Sequence, residues 1–315
     1  MTIKIGTRGS KLALWQAYFI QDLLRAKGAE TEIIIIETKG DKILDRALSK
    51  IGSKGVFTEE LEDQLRTGAI DIAVHSAKDL QSELDEDFKI IAFTEREKVN
   101  DVLVSFNKNL SLNSGESFVV GTSSTRRVAM LKAYYPHIKV VDMRGNLQTR
   151  LRKLEENHCD ALLLAFAGVH RMEQDNLIID FLKLEEFTPA VGQGSIAIEA
   201  SQRLDYQRVT LIREACNHRE TELCLLAERA FLKKLQGGCS IPVFGNCTPS
   251  PLLNPPPVGE GLIMVGGIIS LDGQKIIRET LVDSFENAEK LGEKLAEKVL
   301  SLGGAEILQE IKSQL

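Results

Sequence analysis

Ile70–Leu80 reads IDIAVHSAKDL, an apolar run that stops abruptly in a cluster of reactive side chains. Ile70, Ile72, Ala73 and Val74 are rich in β-branched residues and follow Gly68, a pattern that predicts a short buried parallel strand. His75, Ser76, Lys78 and Asp79 come immediately after it. Ligands of open α/β sheets bind beyond the carboxyl ends of the strands, so these groups stand where a site is expected, Asp79 first among them. The competing reading makes Lys78 and Asp79 an ordinary solvated pair on a loop.

Upstream, Thr2–Ile5 predicts a strand and Lys11–Lys27 a helix, with Ser10 as N-cap and Gly28 just past the end. Thr31–Thr38, which contains four consecutive isoleucines, predicts a buried strand that closes a βαβ unit. The turn GTRGS then places Arg8 and Ser10 at a helix N-terminus, a favourable position for an anion. Between Gly40 and Thr58, the Lys-, Gly- and Ser-rich GDKILDRALSKIGSKGVFT suits a positively charged lid or a plain surface loop. Glu59–Thr67 predicts a helix that ends at Gly68 and leads into the central run.

Downstream, Lys89–Phe93 and Asp101–Phe106 predict strands, and a second α/β unit begins. Phe118–Val120 runs into GTSSTRR, whose helix start carries Ser123, Arg126 and Arg127; Lys139–Met143 ends in Arg144–Gly145–Asn146 and a helix with Arg150 and Arg152. Ala161–Ala165 is followed by Arg171. Strand, small residue, arginine and helix recur, so three successive strand ends each deliver a guanidinium, the group best suited to bidentate grip on carboxylate or phosphate. Thr188–Ala200 returns as a Gly-rich turn and strand able to rejoin the first sheet, which would make the first domain discontinuous.

A helix over Asn217–Leu235 ends at Gly237–Gly238–Cys239, which predicts an accessible thiol on a tight loop. Cys216 and Cys224 fall in apolar helical surroundings and Cys159 just before a strand. Beyond them Pro249–Pro257 predicts a surface connection, Asp272–Gly273 a hairpin between Leu262–Ser270 and Lys275–Val282, and Ala288–Leu302 an amphipathic helix.

Over 315 residues, two or three domains are expected. The net charge of −6 speaks against a broad nucleic-acid surface, so any anionic ligand must be met by a local basic patch. No apolar run approaches the roughly eighteen residues of a membrane span, and MTIKIGTRGS does not resemble a signal peptide, so a cytoplasmic chain is expected. Five cysteines without a CxxC pair argue against both a disulfide framework and a zinc site, and no metal is expected.

TRGSKLALWQA, GDKILD, SKIGSKGVF, DIAVHSAKDL, GTSSTRR, MRGNLQTRLRKL, PAVGQG and LQGGCSIP together resemble the porphobilinogen deaminase (hydroxymethylbilane synthase) family, in its order and spacing and over nearly the whole chain. The resemblance implies an α/β fold of two lobes like those of type II periplasmic binding proteins, with a smaller C-terminal α+β domain. The implied boundaries are 1–94 with 195–214, 100–188, and 218–315.

It implies a transferase that joins four porphobilinogen molecules head to tail, with loss of ammonia, and releases the linear tetrapyrrole hydroxymethylbilane. The implied primer is one dipyrromethane cofactor per chain, tied by a thioether to Cys239. Asp79 and Lys78 are implied as catalytic and cofactor-contacting residues, with Ser123, Arg126, Arg127, Arg144 and Gly145 also at the cofactor. Arg8, Ser10, Arg150 and Arg171 are implied for substrate, and Lys54 and Phe57 for the lid. A monomer with no nucleic-acid or membrane partner is expected.

The chemistry fits the residues: each pyrrole carries two carboxylates, which demand several cationic forks, and the cationic azafulvene left by ammonia suits a fixed carboxylate. Gln81 stands where proline commonly follows the Lys-Asp pair, Gly9 and Lys11 replace a common Gln and Pro, and the Pro249–Pro257 loop is longer than usual. These departures bear on loop geometry beside Asp79 and Arg8. The alternatives are a two-lobed dicarboxylate-binding protein that makes no bonds, for which an accessible Cys239 has no use, and a cysteine hydrolase, for which no His partner is evident.

Overall fold

The computed structural model describes residues 2–38, 58–238, 240–251 and 260–314. Lys54, Phe57 and Cys239 therefore lie outside the described residues.

The chain opens with strand β1 (Thr2–Arg8), helix α1 (Lys11–Ala26) and strand β2 (Glu30–Ile36). Ser10 caps α1 by accepting a hydrogen bond from the Ala13 amide at 3.3 Å, and Gly28 takes φ +81° just beyond its end. Helix α2 (Glu59–Thr67) stops at Gly68, also left-handed at φ +74°, before β3 (Ile72–Ser76) and β4 (Phe88–Phe93).

The four isoleucines do not form a buried strand. β2 is an edge strand whose isoleucines are at most half-buried, Ile33 against one side of the sheet and Ile34 and Ile36 against the other, and Ile35 is 57 % exposed. The central run also differs in detail, because β3 begins at Ile72 and extends through His75 and Ser76, so His75 is buried within the strand.

The first sheet runs β2-β1-β3-β10-β4, where β10 (Ile196–Ser201) returns antiparallel between β3 and β4. The second sheet holds β5 (Asp101–Val104), β6 (Val119–Gly121), β7 (Lys139–Val141), β8 (Ala161–Ala165) and β9 (Ile178–Phe181), in the order β7-β6-β8-β5-β9. Three helices accompany it: α3 (Thr125–Tyr134), α4 (Leu147–Glu155) and α5 (Phe166–Arg171).

Both sheets share one plan. A parallel trio is flanked by an antiparallel strand that arrives straight after a chain crossing, β5 in one sheet and β10 in the other. Only the first sheet takes its antiparallel strand from far along the chain, β10, whereas the five strands of the second sheet follow one another in a single continuous segment.

The expected helix over Asn217–Leu235 is α7 (Arg219–Lys234), capped by His218, and a separate helix α6 (Tyr206–Cys216) precedes it. The antiparallel strands β11 (Val243–Pro251), β12 (Glu260–Ile269) and β13 (Ile276–Ser284) form the third sheet, with Gly273 at φ +78° in the hairpin turn. Pro249–Pro251, expected in a surface loop, belong to the end of β11. The helix expected over Ala288–Leu302 is α8 (Ala288–Val299), continued by a π-helical turn over Leu300–Gly304 that leads into α9 (Ala305–Gln314). Gly292 lets α7 and α8 touch, since a Cβ there would lie 2.0 Å from the Ala227 carbonyl oxygen.

A buried ion pair fastens this C-terminal region to both crossings. Arg96 grips Glu228 of α7 through two hydrogen bonds of 2.6 and 3.1 Å, and Glu228 also accepts from the Gly192 amide at 2.8 Å and the Cys247 amide at 2.7 Å. With its oxygens fully used, the carboxylate tolerates a position of zero exposure.

Candidate active site

Parallel β1 and β3 end side by side, so the N-terminus of α1 and the short turn Ala77–Asp79 face one another. The hollow between them is lined by Arg8, Ser10, Gln16, His75, Ser76 and Asp79. Gln16 joins its two walls by donating to the Ser76 hydroxyl at 2.8 Å. His75 Nε2 lies 3.0 Å from Glu199 Oε2, so its ring is engaged in the sheet interior. Asp79 is exposed and aligned by the backbone alone.

An adjoining hollow holds Lys78 and Arg171 against Gly192 and Gly194. The close approach of the returning chain depends on Gly192, at φ +78°, where a Cβ would lie 2.8 Å from the Lys78 amide nitrogen.

The second lobe brings its guanidiniums to the same region. Arg126 and Arg127 begin α3 but are nearly buried, and both pair with Asp101 at 2.7 Å. Arg126 also donates to the Thr188 carbonyl at 2.9 Å and Arg127 to the Leu163 carbonyl at 2.8 Å. Ser123 sits in the turn that precedes them.

After β7, Arg144 donates to Asp142 at 2.8 Å. Gly145 adopts φ +114°, where any Cβ would lie 2.6 Å from the Thr149 methyl, and its carbonyl accepts from Arg150 Nε at 2.8 Å. Arg171 is held by the Gly194 carbonyl at 2.7 Å and lies over the Trp15 ring, 5.4 Å from its centroid, so it bridges the second lobe to α1.

Electrostatics ties the two lobes together. Burial, reinforced by neighbouring Arg127, lowers the Lys78 ammonium to about 8, while Asp79 and Asp101 resist the shift. Burial and then Arg127 likewise lower Arg150 to about 10, with Asp79 opposing. Burial would raise the Asp101 carboxyl, but Arg126 and Arg127 outweigh it and hold the group well below the usual carboxylate range. The cations Lys78, Arg126, Arg127 and Arg150 thus surround two anions, Asp79 and Asp101, a surplus suited to a ligand that brings carboxylates.

The lowered Lys78 makes a pH prediction. Its folded value lies below the free-lysine value of 10.5, so the stability penalty of its charge is fully present below about pH 8 and is relieved as pH rises towards 10.5. Binding of a carboxylate partner should weaken through the same rise, because the ammonium is lost. The affinity for a mono-pyrrole dicarboxylate, measured by calorimetry from pH 6.5 to 9.5, is expected to fall above pH 8 in the wild type and to stay flat in Lys78→Met.

Asp101 and Gln193 were not singled out in the sequence. The available signals were an acid heading the apolar run Val102–Val104 and a glutamine between two glycines, both of which prove to have positive φ. At Gln81 the side chain donates to Thr58 at 3.3 Å and the carbonyl accepts from Arg229 at 2.9 Å, so the turn after Asp79 is pinned from two sides. Among the described residues no group of three or more His, Cys, Asp or Glu could hold a metal, and no helix is long and apolar enough to cross a membrane.

Residues 3–208 match the family model "Porphobilinogen deaminase, dipyromethane cofactor binding domain", and residues 222–301 match "Porphobilinogen deaminase, C-terminal domain". A porphobilinogen deaminase of Cytophaga hutchinsonii is 54% identical over 314 residues, covering 100% of this chain and 98% of the relative. One from Desulfosudis oleivorans is 50% identical over 315 residues, covering 100% and 99%. Among solved structures, the Bordetella pertussis BvgS VFT2 domain aligns with 68% of this chain and 86% of its own at 16% identity and a TM-score of 0.43.

Proposed function

The chain belongs to the porphobilinogen deaminase family, and from that premise we propose that it is a hydroxymethylbilane synthase whose chemistry is centred on Asp79. It condenses four porphobilinogen molecules stepwise, releases ammonia, and hydrolyses off the linear tetrapyrrole. The observation that carries the assignment of roles is the surplus of cations from both lobes, Arg126 and Arg127 buried and Lys78 and Arg150 half-buried, around one exposed carboxylate at a strand end.

The donor set fits a dipyrromethane. Arg126 and Arg127 supply buried guanidiniums, and Arg126 Nε has no hydrogen-bond partner among the described residues. When bound through Cys239, this group supplies a covalent primer that makes each coupling effectively intramolecular. Lys78, Ser123, Arg126, Arg127, Arg144 and Gly145 hold its acidic side chains, while Arg8, Ser10, Arg150 and Arg171 receive those of incoming substrate. Asp79 stabilises the cation formed as ammonia leaves the substrate and accepts hydrogen bonds from pyrrole N–H groups.

The same reading takes 1–94 with 195–214, 100–188 and 218–315 as the three domains, supported by their three separate sheets. It also takes the enzyme as a cytoplasmic monomer, supported by the acidic composition and the lack of a long apolar helix among the described residues.

The test is a series of Arg126→Leu, Arg127→Leu, Arg144→Leu, Arg150→Leu and Arg171→Leu, with enzyme-bound species resolved by mass spectrometry after addition of porphobilinogen. Arg126 and Arg127 variants are expected to lose primer assembly, and the others to accumulate complexes with different numbers of added pyrroles. A uniform loss of affinity, about 1.5–3 kcal/mol for each charged hydrogen bond, with no accumulated species would favour a dicarboxylate-binding protein instead.

A further inference from the structure

Asp101 heads β5 with zero exposure and is shared by two guanidiniums. Arg126 Nη2 reaches its Oδ2 at 2.7 Å, while Arg127 donates to Oδ1 from Nη2 at 2.7 Å and from Nε at 3.1 Å. Gln193, on the returning crossing, donates to the same Oδ1 at 3.0 Å and accepts from Lys78 Nζ at 3.5 Å through its own oxygen. We propose that Asp101, with Gln193, is a positioning residue for carboxylate recognition, locking Arg126, Arg127 and Lys78 of the opposite lobe into one fixed cationic array. This inference rests on the function proposed above and adds the residues that preorganise its anion-binding groups.

The physical need is plain. Two guanidiniums adjacent in sequence and nearly buried repel one another, and each carries rotamer entropy that a ligand would otherwise have to offset. One carboxylate between them removes the repulsion and fixes both planes, while three cations against one anion still leave positive charge for an incoming ligand. Asp79 and Arg150 complete the charged surroundings, and neither replaces Asp101 as a direct partner of both arginines. Gln193 is anchored independently by donating to the Val99 carbonyl at 2.7 Å, so its oxygen presents a fixed acceptor to Lys78.

The sign of the effect separates positioning from simple charge. If only the field mattered, Asp101→Asn would gain positive charge and bind carboxylates more tightly. Positioning requires the opposite.

Wild type, Asp101→Asn and Gln193→Met are compared by intact mass, by KM and kcat for porphobilinogen, and by thermal melting. Asp101→Asn is expected to purify mostly without the mass of two linked pyrroles, and its loaded fraction to show KM raised at least about tenfold, the size of one lost charge-assisted hydrogen bond. Gln193→Met, which leaves both ion pairs intact, should load, melt like the wild type and show a severalfold higher KM at nearly unchanged kcat. Full loading with an unchanged or lower KM in Asp101→Asn overturns the proposal. If Asp101→Asn does not fold, Gln193→Met decides alone, and a wild-type KM there overturns it. A wild type that carries no pyrroles and makes no tetrapyrrole would instead overturn the function on which the inference rests.

Discussion

Cys239→Ser is expected to yield a folded protein with no turnover and without the mass of two linked pyrroles that the wild type carries. The other four cysteines, Cys159, Cys216, Cys224 and Cys247, are all buried. Burial pushes the Cys159 thiol up to about 11 and the Cys216 thiol up to about 12, so neither supplies a thiolate at neutral pH. Cys224 and Cys247 lie in the core packed around Phe231 and Leu295. The chain that leads to Cys239 is open by contrast, since a Cβ at Gly238 would meet nothing within 4 Å. A serine hydroxyl is too weakly acidic to form the equivalent ether, so the primer and every later coupling are lost together. Intact mass on both proteins, with a colour test for dipyrromethane as the quick check, decides the matter. An adduct that persists in Cys239→Ser, or an active wild type of unmodified mass, would remove Cys239 from the mechanism.

Asp79→Asn is expected to keep its fold and lose about 10²–10³-fold in turnover, the usual effect of removing one preorganised electrostatic group. Asp79 is exposed, and its side chain makes no hydrogen bond or ion pair among the described residues. The substitution should therefore change stability by no more than about 0.5 kcal/mol. What it removes is the negative charge that faces Arg150 and Lys78 at the end of β3. The amide keeps the shape and can still accept a pyrrole N–H, but it cannot stabilise a developing cation. Steady-state turnover within a factor of a few of the wild type would reduce Asp79 to a loop residue of no chemical consequence.

Local pattern determined a good deal about this protein. The caps at Ser10, Gly28 and Gly68, the hairpin at Asp272–Gly273 and the strand that delivers Lys78 and Asp79 all follow from short-range rules of backbone conformation and hydrophobic alternation. The strand-end arginines were legible for the same reason, because a strand followed by a small residue and a helix places the next side chains at the sheet's carboxyl edge.

Only the tertiary structure decided the rest. Four isoleucines in a row signal burial, yet β2 is an edge strand, because position within a sheet depends on which strands pair and no local pattern encodes that. The arginines read alike in sequence but differ in the fold: Arg126 and Arg127 are nearly buried on one shared acid, whereas Arg171 is held to Gly194 and Trp15 of the neighbouring lobe. Asp101 and Gln193 carried only weak local signals, because their roles arise from partners distant in the chain. A buried carboxylate is tolerable only when charges from elsewhere meet it, and it takes the folded chain to bring them there.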